Sequence, residues 1–74
     1  MLNAIEAYAE AGHKAARATV QGDADCAAFH RRWARHAIAM ERDEYRTLAR
    51  EAFDDAYRQT SLLLRGLESY NNLT

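Results

Sequence analysis

The stretch from Asp23 to Arg65, DADCAAFHRRWARHAIAMERDEYRTLAREAFDDAYRQTSLLLR, decides how this chain folds, because it runs from Gly22 to Gly66 without a glycine or a proline. Nothing in it opposes helix, and its alanines, arginines and glutamates favour it. As one unbroken helix the stretch would extend roughly 65 Å, at about 1.5 Å per residue. A compact domain of 74 residues has a radius of gyration near ~11 Å and cannot hold such a rod. Either the stretch breaks, or it projects and is covered by another chain.

The apolar pattern within the stretch changes sides partway along. At about 100° per residue, Cys26, Phe29, Trp33, Ala37 and Met40 share one sector. Carried onward, that sector holds Glu44, Glu51, Arg58 and Arg65. The second half builds its apolar stripe instead from Tyr45, Ala49, Ala52, Phe53, Ala56, Leu63 and Leu67. The crossover lies near Glu41–Glu44. A break at 41–45 gives three helices; a second candidate lies at Thr60-Ser61, where Ser61 could cap a last helix. The crossover has no glycine, proline or good capping box, which favours a continuous second helix using one face for its own first helix and another for a partner.

Upstream, the pattern predicts a first helix over about 3–20. Asn3 can cap it, with Glu6 in capping-box position. Leu2, Ile5, Ala9, Gly12, Ala16 and Val20 make its apolar stripe, opposite Glu6, Glu10, Lys14 and Arg17. Gly12, between two alanines, would let another backbone come close. The chain then turns at Gln21-Gly22-Asp23, where Gly22 can take the left-handed conformation and Asp23 or Asp25 can cap the helix starting near 24. So short a turn makes the two helices antiparallel neighbours. The tail 71–74 reads as frayed. The expected fold is therefore all-α, a single small domain over 1–74: an antiparallel helical hairpin with a long second helix, or a three-helix bundle.

Composition makes self-association part of that expectation. Hydrophobic residues are 49% of the chain, but sixteen of them are alanine and only ten are Leu, Ile or Val. Alanine supports helix while burying little area, so a core built from it is thin for so short a chain. Leu62-Leu63-Leu64 spreads apolar groups over more than half the helix circumference, beyond the reach of the first helix. The run calls for cover from another chain or from a fold-back.

Charge narrows the partners. The net charge is −1, with ten basic and eleven acidic residues, so there is no global attraction to nucleic acid or an anionic membrane. Nine of the ten basic residues are arginine, suited to bidentate and stacked contacts. One cysteine, Cys26, excludes an internal disulfide and fits a reducing compartment. The first residues carry no basic region or long apolar run, so a cytoplasmic protein without a membrane anchor is expected.

Two clusters stand out. Phe29, Trp33 and Met40 form an apolar ridge flanked by Arg32 and His36, residue types that dominate binding hot spots. This predicts a docking surface for a protein; the competing reading makes Phe29 and Trp33 the core against the first helix. Arg31, Arg35, Arg42 and Arg46 make a separate basic stripe, either a solvated face or a site for nucleic acid or a nucleotide-like anion. Glu10-Ala-Gly-His13 matches the Glu-x-x-His pattern of di-iron carboxylate bundles, and Cys26 with His30 has the spacing of two zinc ligands. Neither is completed, so no metal and no cofactor is expected. No nucleophile–base arrangement or glycine-rich phosphate loop occurs, which argues against an enzyme.

The functional expectation is a small non-catalytic interaction protein that binds and inhibits a macromolecular partner. In size and make-up (short, alanine- and arginine-rich, all helix) the chain resembles accessory proteins that phages and mobile elements use against host systems, anti-CRISPR proteins among them. That resemblance implies an inhibitory role. The alternatives are an anion-binding helical oligomer and, more remotely, a di-iron bundle.

Overall fold

Gly22 sets the first corner. In the computed structural model, which describes residues 4–73 and the side chains of 4–67, helix α1 (Ala4–Val20) ends there. Gly22 takes a φ of 79°. The Gly22 N–H donates to the Thr19 carbonyl at 3.1 Å and the Asp23 N–H to the Ala18 carbonyl at 2.9 Å, a Schellman ending that satisfies carbonyls a helix terminus otherwise orphans. Asp23 then caps helix α2 (Ala24–Ala39) by accepting from the Cys26 N–H at 3.1 Å. The roles expected of Leu2 and Asn3 lie outside the described residues.

A continuous second helix does not form. Helix α2 stops after Ala39, and helix α3 (Asp43–Leu73) begins three residues on. At the joint the Met40 N–H is shared between the His36 and Ala37 carbonyls, at 3.3 and 3.2 Å, and the Glu41 N–H reaches the Ile38 carbonyl at 3.1 Å. The last turn is thereby tightened into 3₁₀ form. The Arg42 carbonyl opens α3 by accepting from Tyr45 and Arg46. No residue here needs a positive φ, which is why the turn manages without glycine. Partners from elsewhere hold it: Tyr8 of α1 donates to Glu41 at 3.0 Å, and Arg46 pairs with Asp43 at 2.8 Å while its guanidinium lies 3.4 Å from the Ala39 carbonyl.

The alternative break at Thr60-Ser61 is absent. Helix α3 passes through both residues and through Gly66, and Ser61 is buried rather than capping. Its hydroxyl has no hydrogen-bond partner among the described residues. The tail read as frayed at 71–74 instead continues helix α3 as far as Leu73, and residue 74 lies outside the described residues.

Helix α1 lies between the other two, and α2 and α3 scarcely touch. α1 and α2 are antiparallel. α1 and α3 are parallel, since Tyr8 meets the start of α3 at Glu41 while His13 hydrogen-bonds Thr60. The packed residues are almost all alanine: Ala11, Ala15, Ala16 and Ala18 of α1, Ala27 and Ala34 of α2, Ala49 and Ala56 of α3. Tyr8 is the one large side chain buried among the described residues. Short side chains let helix axes approach closely, and Gly12 marks the tightest point. A Cβ there would stand 2.4 Å from the Phe53 carbonyl oxygen. Of the apolar stripe read from the sequence, Gly12 and Ala16 are buried, but Ile5, Ala9 and Val20 are only half-buried, and the core takes in Tyr8, Ala11 and Ala15 instead.

The long dimension of the molecule, 48 Å, is the length of α3, whose 31 residues span roughly 46 Å. α1 has 17 residues and ends well short of it. Leu62 and Leu63, each 65% exposed, and Leu67 extend past its reach. Among the described residues no helix is long and apolar enough to cross a membrane.

Candidate functional site

Because α2 rests on α1 along one side only, two of its faces are open, and the two residue clusters divide between them. The first face carries Phe29 and Trp33, which are 62% and 44% exposed, and Met40, 87% exposed, follows just past the end of α2 in the joint. They are not the core; that role belongs to the alanines beneath. The Trp33 ring tilts against Tyr8, with centroids 5.7 Å apart, so about half of the indole is anchored and half presented. Phe29 sets its ring edge-on to His30 at 5.3 Å. Between these rings and α1 lies a recess of about 270 Å³, floored by Ala7 and Ala11 and rimmed by Glu10 and Lys14. That rim is itself an ion pair at 3.2 Å. Arg32 and His36 lie exposed alongside, offering donors around an apolar centre.

The opposite face of α2 looks toward α3 across the gap the two helices leave. Arg31 and Arg35 of α2 and Arg46 and Arg50 of α3 line a groove of about 660 Å³ with Ala34, Ile38 and Phe53. Three members of the stripe read from the sequence are thus brought together. Arg42 is not among them, because the joint carries it away from the groove. Arg50, four residues beyond Arg46, takes the fourth place; its i,i+4 spacing was the signal available, and the change of helix direction hid it.

Next to this groove, Arg31 reaches the Tyr57 hydroxyl and lies 4.9 Å from that ring's centroid. Tyr57 in turn donates to Thr19 at 3.3 Å, tying all three helices together. A hydrogen bond that the Thr19 hydroxyl donates to the ionised phenolate, joined by the charge of Arg31, holds the Tyr57 phenol below its usual value against the opposing effect of burial. Tyr8 behaves oppositely: burial, reinforced by the bond to Glu41 and its charge, pushes its phenol up to about 12.

The remaining candidates are drawn into structural contacts. Glu10 pairs with Lys14 and His13 with Thr60, contacts within the fold rather than to a further ligand. Among the described residues no three His, Cys, Asp or Glu side chains come together as a metal site would require. Cys26 is half-buried and free. The chain matches no protein-family model, no curated protein and no solved structure at a significant level.

Proposed function

We propose that this chain is a small non-catalytic interaction protein that binds a protein partner through the face of Phe29, Trp33 and Met40. Arg32 and His36 supply directed contacts at its edge. One observation carries the reading: the largest apolar side chains of α2 stand outside a core that closes without them. Exposed aromatic area beside an apolar recess is what a hot spot requires, since it gains burial only when a partner covers it. Inhibition of the partner, and an origin among phage or mobile-element accessory proteins, belong to the same proposal and rest on small size, composition and the want of catalytic groupings.

The test uses immobilised protein to capture its partner, comparing wild type with Phe29→Ala and Trp33→Ala. Each variant is expected to weaken capture of the same partner by roughly 30-fold or more, the effect of about 2 kcal/mol at a hot spot. Both should keep the helical circular-dichroism signal, with Trp33→Ala costing about 1–2 kcal/mol for the half of the indole that is buried. Unchanged capture, or a chain unfolded by Phe29→Ala, would refute the docking face.

Self-association is proposed on separate ground. Leu62, Leu63 and Leu67 stand uncovered where α3 outruns α1, and a second copy would supply the cover that an alanine core cannot. Light scattering behind a sizing column is expected to give a dimer or larger species that persists on dilution. A clean 8.4 kDa monomer at all concentrations would exclude it.

A further inference from the structure

We infer that the groove between α2 and α3 binds a compact phosphorylated small molecule, of the nucleoside diphosphate kind. The groove lies on the side of α2 turned away from Phe29 and Trp33, so this site is independent of the docking face.

Charge is the first ground. The chain as a whole is slightly acidic, yet four of its nine arginines converge on one groove, two from each wall, with Asp54 as the one carboxylate in the lining. Converging like charges repel, and the repulsion is relieved by an anion between them. The four are not equally engaged. Arg46 is paired with Asp43, and Arg31 is occupied by Tyr57. Arg35 and Arg50, one on each wall, have no hydrogen-bond or ion-pair partner among the described residues. Two unpartnered arginines lining opposite walls of one groove suit phosphate oxygens, which accept the planar guanidinium fork in pairs.

Size and lining identify the rest of the ligand. A volume of about 660 Å³ falls within the roughly 300–1,000 Å³ of small-molecule sites. Ala34, Ile38 and Phe53 give the groove an apolar floor, which inorganic phosphate would leave uncovered and a flat base would use. An extended nucleic-acid backbone fits less well. Beyond the groove it would run along Asp43, Glu44, Glu51 and Asp55 of α3, all exposed, and like charges there oppose it.

The experiment is calorimetric titration of the folded full chain with ADP, with inorganic pyrophosphate, with adenosine and with a short oligothymidylate. ADP is expected to bind tightest, pyrophosphate more weakly, and adenosine and the oligonucleotide weakest. The double variant Arg35→Gln/Arg50→Gln should lose about tenfold or more in ADP affinity, as expected when charge-assisted bonds are removed. It should keep its helical signal, because neither side chain has a partner to lose. Arg17→Gln, on α1 and outside the groove, should bind as wild type does, and so should Trp33→Ala, which separates this site from the docking face. The inference is overturned if ADP gives no heat at millimolar concentration. It also fails if the double variant binds ADP like wild type, or if the oligonucleotide outcompetes ADP.

Discussion

Replacing Gly12 with leucine is expected to leave the chain largely unfolded at room temperature. At Gly12 even a methyl group has no room: a Cβ would meet the Phe53 carbonyl oxygen at 2.4 Å, the Ala56 Cβ at 3.0 Å and the Tyr57 nitrogen at 3.1 Å. Two of those atoms are backbone, so relief requires α1 and α3 to separate. Separation opens the alanine contacts along the whole seam, because short side chains cannot follow a receding neighbour. The reserve is small, about 4–11 kcal/mol for a domain of this length. Gly12→Ala is the graded version. It gains about 1 kcal/mol of helix propensity and loses about 2–3 kcal/mol to overpacking, the upper part of the usual range because the obstacle is backbone rather than a movable side chain. A fall in Tm of roughly 5–15 °C is expected. Gly66 is the internal control, since a Cβ there meets nothing within 4 Å. Gly66→Ala should raise Tm by a few degrees through propensity alone. A Gly12→Ala variant as stable as wild type would mean that the close crossing of α1 and α3 is wrong.

Tyr8→Ala should be the next most damaging change, at about 3–5 kcal/mol by analogy with other buried aromatics. Tyr8 is 3% exposed, packs on Trp33, and its hydroxyl reaches Glu41 in the joint between α2 and α3. It therefore holds both the α1–α2 seam and the turn that starts α3. Tyr8→Phe keeps the ring and should cost about 1–2 kcal/mol for the lost bond. Denaturant unfolding separates the two, and equal losses would show that the ring contributes nothing. The same residue sets an alkaline limit. Its folded-state value of about 12 lies above the ordinary tyrosine value of 10.0, so its contribution is fully present below pH 10 and is lost as pH rises from 10 toward 12. Phenolate absorbance should show a late-titrating component in wild type that Tyr8→Phe removes. Titration of every tyrosine together near the ordinary value would contradict the burial of Tyr8.

Much of the architecture was legible in the residues alone. The helical class followed from a stretch without glycine or proline, and the first corner followed from Gly22 and Asp23, whose roles are local: a positive φ and a side-chain cap within four residues. The change of apolar side near Glu41–Glu44 was legible too, and it marks where the chain breaks. What misled was the rule that a break needs its own stop signal.

The candidate faces were legible as clusters but not as surfaces. Phe29 and Trp33 read equally well as core or ridge, because helical spacing places residues on one side without saying what lies opposite. Only tertiary packing decided that the alanines of α1 and α3, with Gly12 at the crossing, close the core among themselves. Those residues can approach closely, so larger ones are left outside. Arg42 and Arg50 changed places for a related reason: groove membership depends on the angle between two helices, and no residue count carries that angle.

By itself, then, the amino-acid sequence determined the helical class, the Gly22 corner and the point where amphipathic register is lost, all set by bonds and spacings within a turn or two. The tertiary structure alone decided that the register loss is a true break. The groups that hold that break, Tyr8 on Glu41 foremost, come from 33 residues away.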